Sequence, residues 1–175
     1  MQCLDETKKA GLKGKTMIEF NPIGTIHTPF MDREGMPVQP AGAKGIRGTV
    51  ELLPEYIDGV QDLRGFSHII LLYVFHHSNR YSLVVTPFMD SVPRGVFATR
   101  APNRPNPIGL SVVRLVRVED TTLHVEGIDV LDGTPLLDIK PYVPEFDRPS
   151  GIVRTGWLEK SKQQVSEKRS DDRFK

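Results

Sequence analysis

Three arginines lie on or beside a proline-rich stretch, RGVFATRAPNRPNPIG, at residues 94–109. The guanidinium groups of Arg94, Arg100 and Arg104 can each hold a carboxylate or a phosphate through two parallel hydrogen bonds. Each proline lacks a backbone donor and restricts the residue before it to extended geometry, so the stretch predicts a stiff, non-helical loop. Such a loop loses little conformational entropy when it binds a ligand. A structural proline corner with solvated arginines is the alternative, and composition alone does not separate the two.

The elements that must position this loop are short strands. Val96, Phe97 and Ala98 predict a short buried strand at its start, and the backbone groups of the loop itself need partners outside a sheet ladder. Asp132-Gly133 is the strongest hairpin signal in the chain, between residues 130–131 and 134–137. Further strands are predicted over residues 17–28, 45–53, 69–75 (fully buried), 81–86, 110–118 and 122–127.

Helical patterns are few. A short turn is predicted over residues 55–63, since Pro54 suits a first helical position, and a final helix or arm over residues 150–164. Many short strands without a helix of ordinary length before Pro149 predict a mainly β chain. We therefore expect a single-domain β-barrel or sandwich with short helices and a charged C-terminal arm. Its parts would be a flexible leader at residues 1–16, the β domain at 17–159 and a disordered tail at 160–175.

Composition sets the class of protein. A length of 175 residues with 38% hydrophobic and 26% charged residues is typical of one soluble, cytoplasmic domain. The net charge of +1 gives no global attraction to nucleic acid, so any RNA contact must come from a local patch. The longest apolar run, residues 69–75, is too short to span a bilayer.

Two adjacent histidines, His76 and His77, follow that apolar run. Neighbouring residues of a strand point to opposite faces, and Cys3 is the single cysteine, so the pattern does not favour zinc and we expect no metal site. The histidines could line a binding edge at the end of the strand. They could equally be solvated or cap the strand.

The stretch GVFATRAPNRPNPIGLS, residues 95–111, resembles the signature of the TrmO family, also called TsaA-like or YaeB-like. Further similar pieces are IGTIHTPF at 23–30, GFSHII at 65–70 and DVLDGTPLLDIKPY at 129–142. Characterised members of the family are S-adenosylmethionine-dependent tRNA methyltransferases that methylate N6 of threonylcarbamoyladenosine, just 3′ of the anticodon. The resemblance implies a small β-barrel, in keeping with the absence of a glycine-rich dinucleotide-binding signature from the sequence. It also implies a homodimer in which the second subunit completes the site.

The resemblance further implies a set of cofactor contacts. The family commonly has glycine where Ala41 stands, and a methyl group there could crowd a close backbone approach. The implied contacts with S-adenosylmethionine are Gln39, Pro40, Ala41, Phe75, His76, Arg100, Leu110, Asp129, Val130, Leu131 and Asp132.

The target nitrogen of that substrate lies between a purine and a ureido carbonyl, so a catalyst should orient it, deprotonate it, or both. Candidates are Asp138, Lys140, Tyr142 and His76. We expect Asp138 or His76 to accept the proton and Lys140 or Arg104 to hold a carboxylate or phosphate. An ordinary ion pair between Asp138 and Lys140, two apart on one strand face, is the alternative.

RNA would be held by local positive charge. The candidate phosphate contacts are Arg94, Arg104, Lys44 and Arg47. A different class of function, a non-catalytic S-adenosylmethionine sensor or an RNA-binding module on the same barrel, fits the same residues. Longer bacterial relatives carry a further C-terminal domain, which we do not expect within these 175 residues.

Overall fold

The computed structural model describes residues 18–39, 42–159, 169–171 and 174. The predicted leader and the predicted contacts Pro40 and Ala41 lie outside these residues. The strands are β1 (Gly24–His27), β2 (Arg47–Leu52), β3 (His68–Val74), β4 (Val84–Val85), β5 (Arg94–Gly95), β6 (Ile108–Glu119), β7 (Thr122–Glu126) and β8 (Thr134–Pro141).

Six of the strands close into an antiparallel barrel in the order β1-β2-β7-β6-β3-β8, while β4 and β5 pair separately. Short 3-10 helices cover Pro54–Val60, Leu63–Gly65 and Val96–Ala98, and one short α-helix covers Pro144–Asp147. The predicted mainly β single-domain barrel with short helices is therefore confirmed. Within the described residues, no helix is long and apolar enough to cross a membrane.

The barrel core comes from alternate residues of each strand. On β3, Ile69, Leu71 and Tyr73 are buried while the residues between them are partly exposed. The prediction that this run is buried on both faces is wrong, because a single closed sheet has one face on the core and the other toward solvent. Val113 and Leu115 of β6 fill the same interior.

Two local predictions are also wrong. Val96–Ala98 is a 3-10 turn rather than a buried strand, and Phe97 is 78% exposed. Gly133 does adopt the left-handed geometry of a turn, with φ 71°, but the residues before it form no strand, so there is no hairpin. β8 pairs with β1 and β3 instead. These distant partners supply the ladder that a hairpin neighbour would have supplied.

Other predicted elements are shorter in the structure than in the sequence pattern. The first strand shrinks to Gly24–His27 and the strand predicted over residues 81–86 to Val84–Val85. In the described part of the predicted final helix, only residues 156–159 form a 3-10 turn. Trp157 in that turn donates its indole N–H to the carbonyl of Ala98 at 2.9 Å, so this segment packs on the proline-rich loop.

Candidate cofactor and substrate site

The proline-rich loop is held by the segment that follows β3. The backbone N–H of Phe75 donates to the carbonyl of Pro107 at 2.7 Å. The Ser78 hydroxyl lies 3.0 Å from the carbonyl of Pro102 and 2.8 Å from the side-chain oxygen of Asn103. The loop carbonyls thus find hydrogen-bond donors outside a sheet ladder, as the sequence predicts. These hydrogen bonds fix the loop at one end of the barrel.

A cavity of about 1050 Å³ opens between this loop and the barrel end. Its walls come from the end of β3, the starts of β6 and β8, the loops before β2 and β8, and the segment that carries Trp157. Small-molecule sites typically measure roughly 300–1,000 Å³, so this cavity has room for a nucleoside cofactor and part of a second substrate.

One wall of the cavity carries a half-buried carboxyl, that of Asp129. The Ser111 hydroxyl donates to Oδ1 of Asp129 at 2.6 Å and lies 3.0 Å from the hydroxyl of Tyr73. Burial raises the pKa of Asp129 to about 6, against the opposing effects of the Ser111 hydrogen bond and the positive charge of Arg100. Burial likewise raises the pKa of Tyr73, so its hydroxyl stays protonated.

His76 lies at the cavity edge, directly after β3. Its ring is 4.1 Å from that of His77, and its Nδ1 is 3.5 Å from the Thr134 hydroxyl. Burial and the neighbouring His77 lower the pKa of His76, so the imidazole is neutral at pH 7 and can accept a proton. Arg33 donates to the backbone carbonyl of His77 and ties this turn to the loop before β2.

The three arginines of the loop have different surroundings. Arg94 donates to Oδ2 of Asp90 through Nε at 3.0 Å and Nη2 at 2.6 Å, and its guanidinium lies 5.6 Å from the Trp157 ring centroid. The hydrogen bond from Arg94 lowers the pKa of Asp90. Arg100 and Arg104 line the cavity. Arg94 is therefore held by Asp90 and Trp157, whereas Arg100 and Arg104 face the space a ligand would fill.

The described residues of the predicted tail pack against the domain. Ser170 exchanges backbone hydrogen bonds with the loop before β2, at 3.1 Å from Gly35 and 2.9 Å to Met36. Phe174 is 6% exposed and meets the Phe88 ring edge-on at 4.9 Å between centroids. Ser170, Asp171 and Phe174 all line the cavity, so this segment forms part of its wall.

The structure brings most of the predicted cofactor contacts together. Asp132 is not among the lining residues, because its carboxylate accepts a hydrogen bond from the Thr28 backbone at 3.0 Å and contacts His27 at 3.3 Å. The Thr28 bond is the main cause of its lowered pKa. The residues that do line the one cavity are Gln39, Phe75, His76, Arg100, Leu110, Asp129, Val130 and Leu131.

Of the predicted catalytic residues, His76 alone lines this cavity. Asp138 and Lys140 form an exposed ion pair at 2.7 Å, the ordinary contact that the sequence left as an alternative. Tyr142 lies beyond the far end of β8, roughly 26 Å along the strand from Thr134 at about 3.3 Å per residue. Within one chain, these three side chains do not meet the cavity.

The remaining predicted RNA contacts lie on the outer surface. Lys44 and Arg47 are exposed, and Arg47 lines a smaller pocket together with His27, Arg117 and His124. Glu119 contacts both Arg117, at 3.2 Å, and His124, at 3.1 Å, so the charge of Arg117 is partly neutralised.

Sequence reasoning missed Tyr73, Ser111 and Phe174. Ser111 is the polar residue among the apolar side chains of β6 that point into the barrel. Tyr73 is the last residue of β3 that points inward. The alternation of inward and outward residues could therefore have identified both. No local pattern indicates that Phe174 would be buried. In the part of the chain that the structure describes, no group of three potential metal ligands is found.

Comparison with known proteins adds independent findings. A family profile described as the tRNA-methyltransferase O N-terminal domain matches residues 25–148. A Pyrococcus abyssi protein named as a probable S-adenosyl-L-methionine-binding protein is 54% identical over 158 residues, covering 90% of this chain and 85% of that protein. The human tRNA (adenine(37)-N6)-methyltransferase is 35% identical, covering 75% of this chain and 32% of its own length.

Solved structures agree with the sequence comparisons. The crystal structure of TrmO from Pseudomonas aeruginosa shares 43% sequence identity with this chain at a TM-score of 0.68. The match covers 81% of this chain and 63% of that chain. The similarity therefore includes the barrel and its sequence motifs, while the solved protein extends beyond the shared part.

Proposed function

This chain belongs to the family of the tRNA-methyltransferase O N-terminal domain, and on that premise we propose that it is an S-adenosylmethionine-dependent tRNA methyltransferase. We propose as its substrate N6 of threonylcarbamoyladenosine next to the anticodon. The observation that carries the proposal is the cavity in which predicted cofactor contacts from four stretches of sequence meet, at residues 39, 75–76, 100–110 and 129–131.

The chemistry of the cavity wall fits the cofactor. S-adenosylmethionine supplies a methyl group on a sulfonium, together with amino, carboxylate, ribose and adenine groups to be recognised. Asp129 and Arg100 offer opposite charges on one wall, suited to the ammonium and carboxylate ends. Tyr73 and Phe75, whose rings meet edge-on at 5.5 Å, are aromatic neighbours that a sulfonium cation tolerates. Leu110 adds apolar surface for a base.

His76 is the best-supported proton acceptor. It lines the cavity, and its lowered pKa leaves the ring neutral, whereas Asp138 is held in an ion pair outside the cavity. Asp138, Lys140 and Tyr142 could serve the same cavity only if a second copy of the chain brought them there. The homodimer thus remains part of the proposal.

The tRNA would be held by cations around the cavity mouth and on the outer surface. Arg104 lines the cavity and is the nearest candidate for a phosphate or for the threonyl carboxylate. Lys44 and Arg47 are exposed and are proposed to bind the backbone farther along the RNA. Removing the side chain that binds one phosphate should reduce the salt slope of tRNA binding by about one unit. A tRNA substrate accords with the cytoplasmic location expected from composition.

The decisive experiment has two arms. Calorimetric titration of the chain with S-adenosylmethionine measures cofactor affinity directly. Incubation with labelled cofactor and tRNA, followed by mass analysis of the nucleosides, identifies the product. Methylated threonylcarbamoyladenosine as the product supports the proposed substrate. N6-methyladenosine formed in unmodified tRNA would instead make plain adenosine the substrate, in line with the name of the human relative. Absence of cofactor binding would refute the proposal as a whole.

Replacing His76 with Gln tests the proton acceptor. Glutamine keeps a side chain of similar length with a hydrogen-bonding end but cannot take up the proton, so the methylation rate should fall about 100-fold, within the usual range for removal of a general base. His76 is also among the proposed cofactor contacts, so the rate is compared at saturating cofactor, which separates a loss of proton transfer from weaker binding. His68→Gln, at a histidine outside the cavity lining, is the matched control, and an unchanged rate for His76→Gln would remove His76 as the base.

A non-catalytic cofactor sensor is the second candidate. One observation favours it: three of the four residues predicted to act in catalysis lie away from the cavity within a single chain. Such a sensor would bind S-adenosylmethionine but leave every tRNA unmethylated, which the two arms above distinguish.

A further inference from the structure

The side chains of Tyr73, Ser111 and Asp129 are hydrogen-bonded in series where the barrel interior meets the cavity. The hydroxyls of Tyr73 and Ser111 are 3.0 Å apart, and Ser111 donates to Oδ1 of Asp129 at 2.6 Å. Ser111 is 1% exposed, so its hydroxyl does not reach a ligand in the cavity. Its effect must pass through its two partners, Asp129 and Tyr73, which both line the cavity.

We propose that Ser111, whose hydroxyl is also hydrogen-bonded to Tyr73, is a positioning residue that orients the Asp129 carboxylate and keeps it ionised toward a cationic ligand in the cavity. The direction of the hydrogen bonds supports this role. Because the single proton of Ser111 goes to the carboxylate, the Tyr73 hydroxyl is the donor in the other bond. The inference rests on the proposed function, which supplies S-adenosylmethionine as the cation.

The electrostatics of the wall explain why such a device is useful. Burial raises the pKa of Asp129. The Ser111 hydrogen bond is the largest influence that lowers it, and the positive charge of Arg100 lowers it by a smaller amount. Tyr73 faces Asp129 from β3 and stays neutral, while Arg33, His76 and Arg104 line the same cavity from other elements. Without the hydroxyl, Asp129 would be protonated closer to neutral pH and would lose its attraction for a cation.

The test is the pH dependence of S-adenosylmethionine affinity in the full chain, measured by calorimetry for Ser111→Ala and wild type. Loss of a charge-assisted hydrogen bond should raise the pKa of Asp129 by about one unit, which weakens binding about fivefold near pH 6 and hardly at all near pH 8. Taking the variant-to-wild-type ratio at each pH removes the titration of the ligand and of His76, which both proteins share.

Matched variants separate positioning from simple damage. Ser111→Thr keeps the hydroxyl and should restore the wild-type pH profile, and Tyr73→Phe should shift the profile in the same direction as Ser111→Ala but less. Val113→Ala removes volume at the next inward position of β6 and should lower stability with a ratio that does not change with pH. A pH-independent ratio for Ser111→Ala would overturn the proposal.

A second measurement needs no ligand. The carboxyl signal of Asp129, assigned by its loss in Asp129→Asn, can be titrated by carbon NMR in wild type and in Ser111→Ala. Its midpoint should rise by about one pH unit in the variant. An unchanged midpoint refutes the positioning role even if the cofactor binds, whereas a wild-type chain that fails to bind cofactor refutes the proposed function and leaves this titration intact.

Discussion

At the scale of single residues, the cavity wall keeps a carboxyl where burial opposes its charge. Burial raises the pKa of Asp129 from 3.8 to about 6. At neutral pH the carboxylate is therefore ionised at a cost to folding, since the unfolded chain ionises the same group more easily. A residue retained at such a cost is typical of a binding or catalytic site.

Asp129→Asn should stabilise the chain while weakening its binding of a cation. The wild type is most stable relative to the variant below about pH 4, where Asp129 is protonated in both states, and loses stability as the pH rises to about 6. A shift of roughly two pKa units sets an upper limit of about 3 kcal/mol at pH 7, less where the cavity admits water. Thermal unfolding between about pH 4 and pH 7 measures it, at roughly 2–4 °C per kcal/mol.

The same variant should bind S-adenosylmethionine at least about tenfold more weakly at pH 7, since a charged hydrogen bond is worth about 1.5–3 kcal/mol. Equal unfolding temperatures for both proteins at every pH would contradict the electrostatic account of this wall. Asp58→Asn, in a 3-10 helix without buried residues, is the control and should show neither effect.

At the scale of elements, the pairing of β3 with β6 leaves room for the hydrogen bond between the buried hydroxyls of Tyr73 and Ser111. Gly109 lies directly opposite Tyr73, and a Cβ added to it would come within 2.1 Å of the Tyr73 ring. The absence of a side chain at residue 109 therefore allows the ring to lie across β6 with its hydroxyl near Ser111.

Gly109→Ala should displace that ring. We expect a loss of about 1–3 kcal/mol in the free energy of unfolding, the usual cost of overpacking a core, together with weaker cofactor binding. Urea denaturation and calorimetry measure the two effects. Gly65→Ala is the matched control, because an added Cβ there meets nothing within 4 Å. Equal stability of the two variants would show that the ring can move aside freely.

Strand periodicity was enough to predict a mainly β domain, and the family resemblance predicted that it is a barrel and predicted most of its cavity. Alternation identifies the inward residues of β7 and those of β6 up to Leu115, where the register shifts. It could not show that Asp132-Gly133 turns the chain into β8 without a hairpin, because the partners of β8 are distant in sequence. Nor could it show that Asp129 lines the cavity while Asp138 lies outside it, because that depends on the tertiary fold.

At the scale of the whole molecule, two apolar clusters have different roles. The barrel core contains Ile26, Leu71 and Leu123 among its members. A second cluster of Val85, Val96, Ala101 and Phe174 lies against the cavity, with Phe88 packed on it. A change in the second cluster can therefore alter the cavity while the barrel remains folded.

Phe174→Ala should weaken cofactor binding more than it weakens the fold. The ring seals one wall beside Phe88, so its loss admits water and removes apolar surface from the site, and we expect the Kd for S-adenosylmethionine to rise about five- to tenfold. Barrel unfolding should change little, because no barrel core residue belongs to this cluster. Phe146→Ala makes the same substitution at a ring that is 84% exposed and should leave both quantities unchanged. If Phe174→Ala and Phe146→Ala bind cofactor equally well, the C-terminal segment covers the cavity without contributing to it, and the binding site must be formed by the barrel and the proline-rich loop alone.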